Sequence, residues 1–346
     1  MNIDLLKRVC NTPGVSGFED PAQKVVTEAL STCCDDVRGD RMGNVIGLKK
    51  ATCPPAGAER PLRVILAAHV DEIGMMVKHI DDKGFISVIQ LGGLNVQCIV
   101  SQRLIIHGKK PVGGVVVPYN KPDSKDKIPT LDDLRIDTGL SPDVLGELVD
   151  IGDIVTFDVP VEQLNDKVYV GRNFDNRLGV YCMIEAMRRL GDTRVDAYAV
   201  STVQEEVGVR GIPAAAFVIE PDMGLAIDGS LCWGAYGDEH QKNTALGKGT
   251  GIYIMDGLTI GNPRLVSFLY DVCGKSGIAF QKNIGGGTDA SALQRSRAGV
   301  LATTVGAPVR YMHSTVQLCH DDDVEATIAL LAAFLEHAHE LSADKK

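Results

Sequence analysis

The sequence predicts an α/β fold: a sheet covered by helices on both faces, with a β-rich domain inserted into it. Two observations carry this. Short apolar runs, each long enough for one buried strand, alternate with helix-like stretches along most of the chain, the pattern of helices layered on a sheet. Between residues 73 and 165 that alternation stops, and strand-like runs broken by Gly, Pro and Asp-Lys-Gly turns take over. The expected division is an α/β domain of residues 1–72 and 166–346 and an inserted β-rich domain of residues 73–165.

In chain order, "EDPAQKVVTEAL" opens a helix with Asp20 as its cap and Pro21 at the first helical position, where a missing N–H costs nothing. "RVILAA" is a buried strand. Within the insert, "IGMMVKHIDDKGFISVIQLGG", "CIVSQRLIIHGKKPVGGVVVP" and "DIVTFDV" read as strands, "LSPDVLGELV" as a helix and "YNKPDSKDKIPTLDDL" as an exposed polar loop. "NRLGVYCMIEAMRRLG" places Leu178, Tyr181, Ile184 and Met187 at helical spacing. "DAYAVSTV", "MGLAID", "GIYIMD" and "GVLATTV" are further buried strands. "GNPRLVSFLYDVCG" is a helix capped by Asn262, with Pro263 next and Gly274 as its stop. The last helix, "DDDVEATIALLAAFLEHAHEL", begins with the acidic residues that a helix dipole favours.

Composition narrows the function. The 346 residues are 45% hydrophobic and 23% charged, as a soluble protein with a full-sized core requires. A net charge of −10 argues against a nucleic-acid partner, because phosphate neutralisation needs clustered Lys and Arg. Nine cysteines, an odd count with no Cys-x-x-Cys pair, indicate reduced thiols. The opening "MNIDLLKRVC" has no apolar signal-type stretch, and the longest apolar run, residues 328–335, is far short of the ~20 residues a membrane helix needs. A cytoplasmic protein that does not enter membranes is expected.

The chemistry gathers at the ends of the strands. "RVILAAHVDE" ends in His69 and Asp71, "STVQEE" in Glu205 and Glu206, and "MGLAIDG" in Asp228. His313 comes a few residues past "LATTV", and Asp175 stands just before a helix in "VYVGRNFDNR". The carboxyl ends of the strands form the ligand crevice of an open α/β sheet, so two His and five carboxylates converge on one edge. Burying an unpaired carboxylate costs several kcal/mol, and the natural offset here is a divalent metal of the zinc or cobalt kind, with His nitrogen and carboxylate oxygen donors and no thiolate. Two His and three acidic ligands suffice for two ions if one carboxylate bridges. Adjacent residues in extended backbone point to opposite sides, so Glu205 and Glu206 are expected to divide the work. His69 and Asp71 point to the same side, which lets Asp71 accept the second ring N–H of His69.

The motifs "AAHVDEIG", "NFDNR", "QEEVGVRG", "DG" and "MHST", in that order, resemble those of the tetrahedral aminopeptidases, the glutamyl aminopeptidase and cellulase M family of dinuclear zinc or cobalt peptidases. The likeness extends to "TPGVSGFED" near the start and "GGGTDAS" at 285–291. It implies that Asp175 bridges two metals, that His69 and Asp228 complete one site and that Glu206 and His313 complete the other. It further implies that Glu205 is the general base and that Asp71 orients His69. The family fold is a three-layer α/β/α zinc-peptidase domain with an inserted PDZ-like β-barrel. The resemblance also implies a dodecamer built from dimers, with active sites facing an interior that admits short peptides. On this reading the insert serves assembly, and the metal site belongs to the α/β domain alone. The glycines Gly286 and Gly287, with Thr288, are expected to bring backbone close to the substrate.

Other hydrolases fit less well. A glycosidase of the endoglucanase type needs two carboxylates facing each other across a sugar. Adjacent Glu205 and Glu206 diverge, the His residues have no part in such a reaction, and 5% aromatics with a single Trp leave little for sugar stacking. A related dinuclear acylamino-acid deacylase or carboxypeptidase would carry its extra domain after the Glu-Glu pair, whereas here the insertion falls between His69 and Asp175.

Overall fold

A computed structural model describes residues 1–55, 57, 59–119, 129–232 and 244–341. Its main sheet has eight strands, in the order Asp36–Gly39, Val45–Lys49, Asp196–Thr202, Arg63–His69, Met223–Ile227, Leu301–Gly306, Thr250–Met255 and Phe280–Ile284. The four central strands, from Asp196–Thr202 to Leu301–Gly306, run parallel. All five apolar runs singled out in the sequence are strands of this sheet.

Alternation along Arg63–His69 shows how the layers form. Val64, Leu66 and Ala68 enter one core with residues of the helices Ile3–Asn11, Asp20–Leu30, Phe174–Arg189, Pro263–Ser276 and Asp321–His337. Ile65 and Ala67 enter the core on the opposite face, against Ile212, Ala215 and Ile219 of the helix Ile212–Ile219 and Leu293 of Ala290–Gln294. Successive side chains of a strand point to opposite faces, so one seven-residue run serves two cores. The predicted stripe Leu178, Tyr181, Ile184 and Met187 is buried throughout.

The interrupted stretch is a closed barrel of six strands, in the order Gly74–Ile80, Ile86–Leu91, Leu134–Asp137, Pro111–Pro118, Arg103–His107 and Ile154–Phe157. It has its own core, including Met75, Ile86, Ile106, Val155 and Phe157. The expected helix in "LSPDVLGELV" is Pro142–Leu148; of the expected exposed loop, residues 120–128 lie outside the described residues. A second sheet of five strands joins Glu162–Gln163, Val168–Gly171, Gln317–His320, Pro308–Arg310 and Ser230–Cys232. Among the described residues, no helix is long and apolar enough to cross a membrane.

Two helix ends differ from expectation. The cap of Asp20–Leu30 is Glu19 rather than Asp20, and its side chain makes no capping bond, because it is drawn to the backbone N–H groups of Gly17 and Gln204 instead. The helix from Pro263 runs through Gly274 to Ser276 and ends at Gly277, whose left-handed φ of 66° closes the last turn. Gly274 has no such conformation and simply continues the helix. At the other end Asn262 caps as expected, accepting from the N–H groups of Arg264 and Leu265. Asn262→Ala should lower the unfolding free energy by ~0.5–2 kcal/mol and leave the far-ultraviolet circular dichroism spectrum unchanged, which a denaturant titration followed by circular dichroism checks.

Candidate active site

Parallel register brings the critical strand ends together. Thr202 stands opposite His69, and Ile227 opposite Val305. The chain therefore releases His69, the Glu205–Glu206 pair, Asp228 and the loop to His313 along one edge of the sheet.

Asp175 arrives from the neighbouring helix. The first residues of Phe174–Arg189 depart from helical geometry at Asp175 and Asn176, and the Asp175–Asn176 peptide is cis. The kink is held from two sides: the Asp175 N–H donates to Gln317 Oε1 at 2.7 Å, and Asn176 Nδ2 donates to the Ile227 carbonyl at 2.6 Å. The two Asp175 oxygens then face different histidines. Oδ1 is 3.4 Å from His69 Nε2, and Oδ2 is 3.5 Å from His313 Nε2. Glu205 and Asp228 each come within 3.9 Å of His69 Nε2, and Glu206 within 3.9 Å of His313 Nε2.

The two glutamates diverge for a different reason from the one expected. The strand ends at Thr202, and Gln204 turns the chain with a left-handed φ of 55°. Beyond it, the Asp71 carboxylate accepts from the N–H groups of both Glu205 and Glu206, at 3.0 and 3.2 Å. Ser16 donates its hydroxyl to the same carboxylate at 2.6 Å. The nearest acceptor to His69 Nδ1 is the Asp71 main-chain carbonyl at 3.0 Å, with the carboxylate at 3.5 Å. Asp71 is therefore a hub that fixes the glutamate turn as well as the imidazole.

A sequence profile described as M42 glutamyl aminopeptidase matches residues 43–330. The chain belongs to this family. Peptidases of the M42 family are metal-dependent peptide hydrolases, and this one is similar over almost its whole length to known aminopeptidases. The lysyl aminopeptidase of Pyrococcus furiosus is 34% identical over 345 residues, 96% of each chain. An aminopeptidase from the archaeon Desulfurococcus kamchatkensis superposes with a TM-score of 0.91 at 34% identity, covering 97% of this chain and 94% of its own. The TET1 peptidase of Pyrococcus horikoshii, which can assemble into a tetrahedron or a large octahedral shell, superposes with a TM-score of 0.84 at 29% identity, covering 96% of this chain and 98% of its own.

In this M42 peptidase the cleft is crowded with carboxyls, and the basic groups that face them are imidazoles. Among the described residues lining it there is no Lys or Arg. Burial, with Asp289, Glu206 and Asp71 nearby, pushes the Glu205 carboxyl up to about 9 against the pull of His69. Burial and neighbouring carboxylates, Asp175 among them, hold Glu206 and Asp228 well above the usual carboxylate range. Burial raises Asp289 to about 6, partly offset by the Thr202 hydroxyl. Burial also opposes charge on His69, but hydrogen bonds to Asp175 and Asp71 and the charges of Glu205 and Asp228 outweigh it and raise its pKa. Asp175 stays below its ordinary value because His69 and His313 more than offset its burial. This crowding of oxygen donors and imidazoles fits a divalent cation. His69, Asp175 and Glu206 offer ligand atoms within 4.8 Å of one another.

Of the remaining expected residues, Gly286 and Gly287 line the cleft and are exposed. Thr288 lines it too, but it is buried and its hydroxyl is engaged by Thr304 at 2.7 Å and Asp256 at 3.4 Å. Sequence reasoning missed Ser16, Gln317 and a buried ion network beside the site. Glu72 accepts from Arg172 at 2.7 Å and from Asn173 at 3.0 Å, with Arg177 at 3.5 Å. Arg177 also donates to the carbonyls of Val9, Thr12, Gly14 and Val70. Ser16 lies in "TPGVSGFED", whose only signal is its resemblance to the family; for Gln317 the sequence carries no signal.

The raised carboxyls set a pH signature for metal-free protein. A carboxyl whose folded pKa exceeds its unfolded value binds more protons when folded, so stability is lost as pH rises between the two. For Glu205 that window runs from 4.5 to about 9. The raised pKa of His69 acts in the same direction. Calorimetry in chelator should show the melting temperature falling from about pH 5 to about pH 9, and a rising melting temperature across that range would contradict this account.

Proposed function

We propose that this peptidase is a dinuclear metallo-aminopeptidase that removes N-terminal residues from short peptides. The observation that carries the reading is the placement of Asp175, whose two oxygens face two different histidines, as a carboxylate bridging two ions must. His69 and Asp228 would hold one ion, and Glu206 and His313 the other. Zn²⁺ and Co²⁺ both suit such donors. Bound ions would supply Lewis acidity, polarising the scissile carbonyl and lowering the pKa of water.

The chain's own groups do the rest. Glu205, on the His69 side of the cleft and not needed as a ligand, takes a proton from the attacking water and delivers it to the departing amine. With cations bound, the pKa of Glu205 would fall from its metal-free position, leaving its carboxylate able to accept that proton. Asp71 acts by position, holding His69 and both glutamates. A cleft with no Lys or Arg among its described lining residues offers nothing to grip a peptide's terminal carboxylate, whereas its acidity favours a terminal ammonium. That supports aminopeptidase over carboxypeptidase or acylamino-acid deacylase activity.

The tight His69, Asp175 and Glu206 triad supports one alternative, a single ion held by those three. Metal stoichiometry separates the readings. The remaining features of the proposal are a cytoplasmic location, the domain boundaries at 72/73 and 165/166, and a homo-oligomer of dimers that reaches a dodecamer, by analogy with the PhTET1-12s structure, a dodecamer.

Chelation should abolish hydrolysis of aminoacyl chromogenic substrates, and Zn²⁺ or Co²⁺ should restore it. Substrates with a blocked amine should not be cleaved. Activity that persists in protein shown metal-free by elemental analysis would refute the metal reading. Glu205→Gln should keep bound metal and lose ~10²–10⁴-fold in turnover, while Glu206→Gln should lose metal. Exchange of these two phenotypes would reverse the assigned roles.

A further inference from the structure

The barrel touches the cleft. Between its strand Ile86–Leu91 and the short helix Val96–Cys98 the chain passes through Gly92 and Gly93. The carbonyl of Gly93 lies 2.7 Å from His313 Nδ1. A carbonyl can only accept, so Nδ1 carries a proton, and in the neutral imidazole that a metal ligand must be, Nε2 is then the nitrogen with the free lone pair. Nε2 faces Asp175 Oδ2 and Glu206 Oε2.

His313 needs such a partner more than His69 does. The His69 side chain is 2% exposed, whereas that of His313 is 46% exposed and its backbone is left-handed, with φ 58°. Each imidazole is fixed by a main-chain carbonyl on Nδ1, but that of His69 comes from Asp71, on the same segment, and that of His313 comes from the barrel. Both barrel residues must be glycine for the approach to be this close. A Cβ on Gly93 would stand 2.6 Å from His313 Nδ1. One on Gly92, where φ is +81°, would stand 2.8 Å from Ile73 Cγ2, 3.2 Å from Glu206 Cβ and 3.3 Å from Glu206 Oε2.

We propose that the Gly92–Gly93 turn of the barrel is a positioning element for the half of the site formed by Glu206 and His313, so that the barrel is needed to bind the second ion. This departs from the expectation that the metal site belongs to the α/β domain alone, and it rests on the two-ion reading above. The turn does not touch the reacting atoms. It sets the tautomer and direction of one ligand and limits the space open to another, and supporting contacts of this kind typically change metal affinity ~10–100-fold.

The test is a Co²⁺ titration of metal-free protein, followed by visible absorption and by competition with a chelator of known affinity. The variants are Gly93→Ala and Gly92→Ala. Gly113→Ala, elsewhere on the barrel where an added Cβ meets nothing within 4 Å, is the control. Wild type and Gly113→Ala should take up two equivalents. Gly93→Ala should keep the first at wild-type affinity, bind the second ~10–100-fold more weakly and show an altered Co²⁺ spectrum, with the melting temperature of the metal-free protein unchanged. If Gly93→Ala fails to fold, Gly92→Ala reads the same half-site through Glu206 and should show the same selective loss. Two equivalents bound with wild-type affinity and spectrum by these glycine variants would overturn the proposal. A wild type that binds only one ion would instead overturn the two-ion reading beneath it.

Discussion

The electrostatic cost of gathering carboxylates in a buried cleft is the constraint on which the rest of this structure depends. Asp71, Asp175, Glu205, Glu206 and Asp228 are drawn together with no Lys or Arg lining the cleft among the described residues. Burial and mutual repulsion oppose the charge of Glu205, Glu206 and Asp228, whereas for Asp71 and Asp175 burial is outweighed by contacts that include His69. The protein meets this cost by strong backbone placement. Four parallel strands deliver the ends in register, and hydrogen bonds to Gln317 and the Ile227 carbonyl hold the Asp175 kink. The product is a rigid set of donors whose charge a cation completes.

A second buried network makes that rigidity possible. Glu72 directly follows Asp71, and Asn173 and Arg172 directly precede the Asp175 kink. Their hydrogen bonds join the segments that carry Asp71 and Asp175, and Arg177 ties both to the carbonyls of the N-terminal segment. Here one carboxylate faces two guanidiniums, which keep Glu72 ionised although burial opposes its charge. Paired charges beside the cleft and crowded carboxyls within it are complementary: the first fixes the geometry in which the second can exist. Removing one partner of such a buried pair is far more damaging than losing a surface ion pair.

The barrel stands apart in its core but not in its contacts. Its apolar interior is a separate cluster from those of the main sheet, as expected of an independently packed insertion. Yet its Gly92–Gly93 turn reaches both Glu206 and His313. The barrel begins at Gly74, five residues after His69, so it leaves the main sheet beside the cleft. The exposed apolar residues Leu258, Ile260 and Ile284, close to the glycine wall of the cleft, lie on the main domain rather than on the barrel. The barrel has exposed apolar side chains of its own in Ile89, Val115 and Ile151.

The layers, the interruption and the chemical kinds of the donors are legible in the sequence. Strand periodicity, helix spacing and a cap such as Asn262 are set by residues a few positions apart, and those interactions survive in any fold. The ordered motifs likewise placed His69, Asp175, Glu205, Glu206, Asp228 and His313 at element ends. How these residues are held depends on contacts between distant parts of the chain. Ser16 meets Asp71 across 55 positions, Asp175 meets Gln317 across 142, and His313 meets Gly93 across 220. Nothing local marks such partners, since a serine, a glutamine or a glycine carbonyl is an ordinary surface group until a particular loop closes over it. Glu19 shows the same limit from the other side: local rules make Asp20 a cap, but the N–H of Gln204, brought in from 185 positions away, helps draw the Glu19 carboxylate away from the helix it precedes. Local periodicity is written in neighbouring residues, whereas hydrogen-bond partners across the fold exist only once the chain has closed on itself.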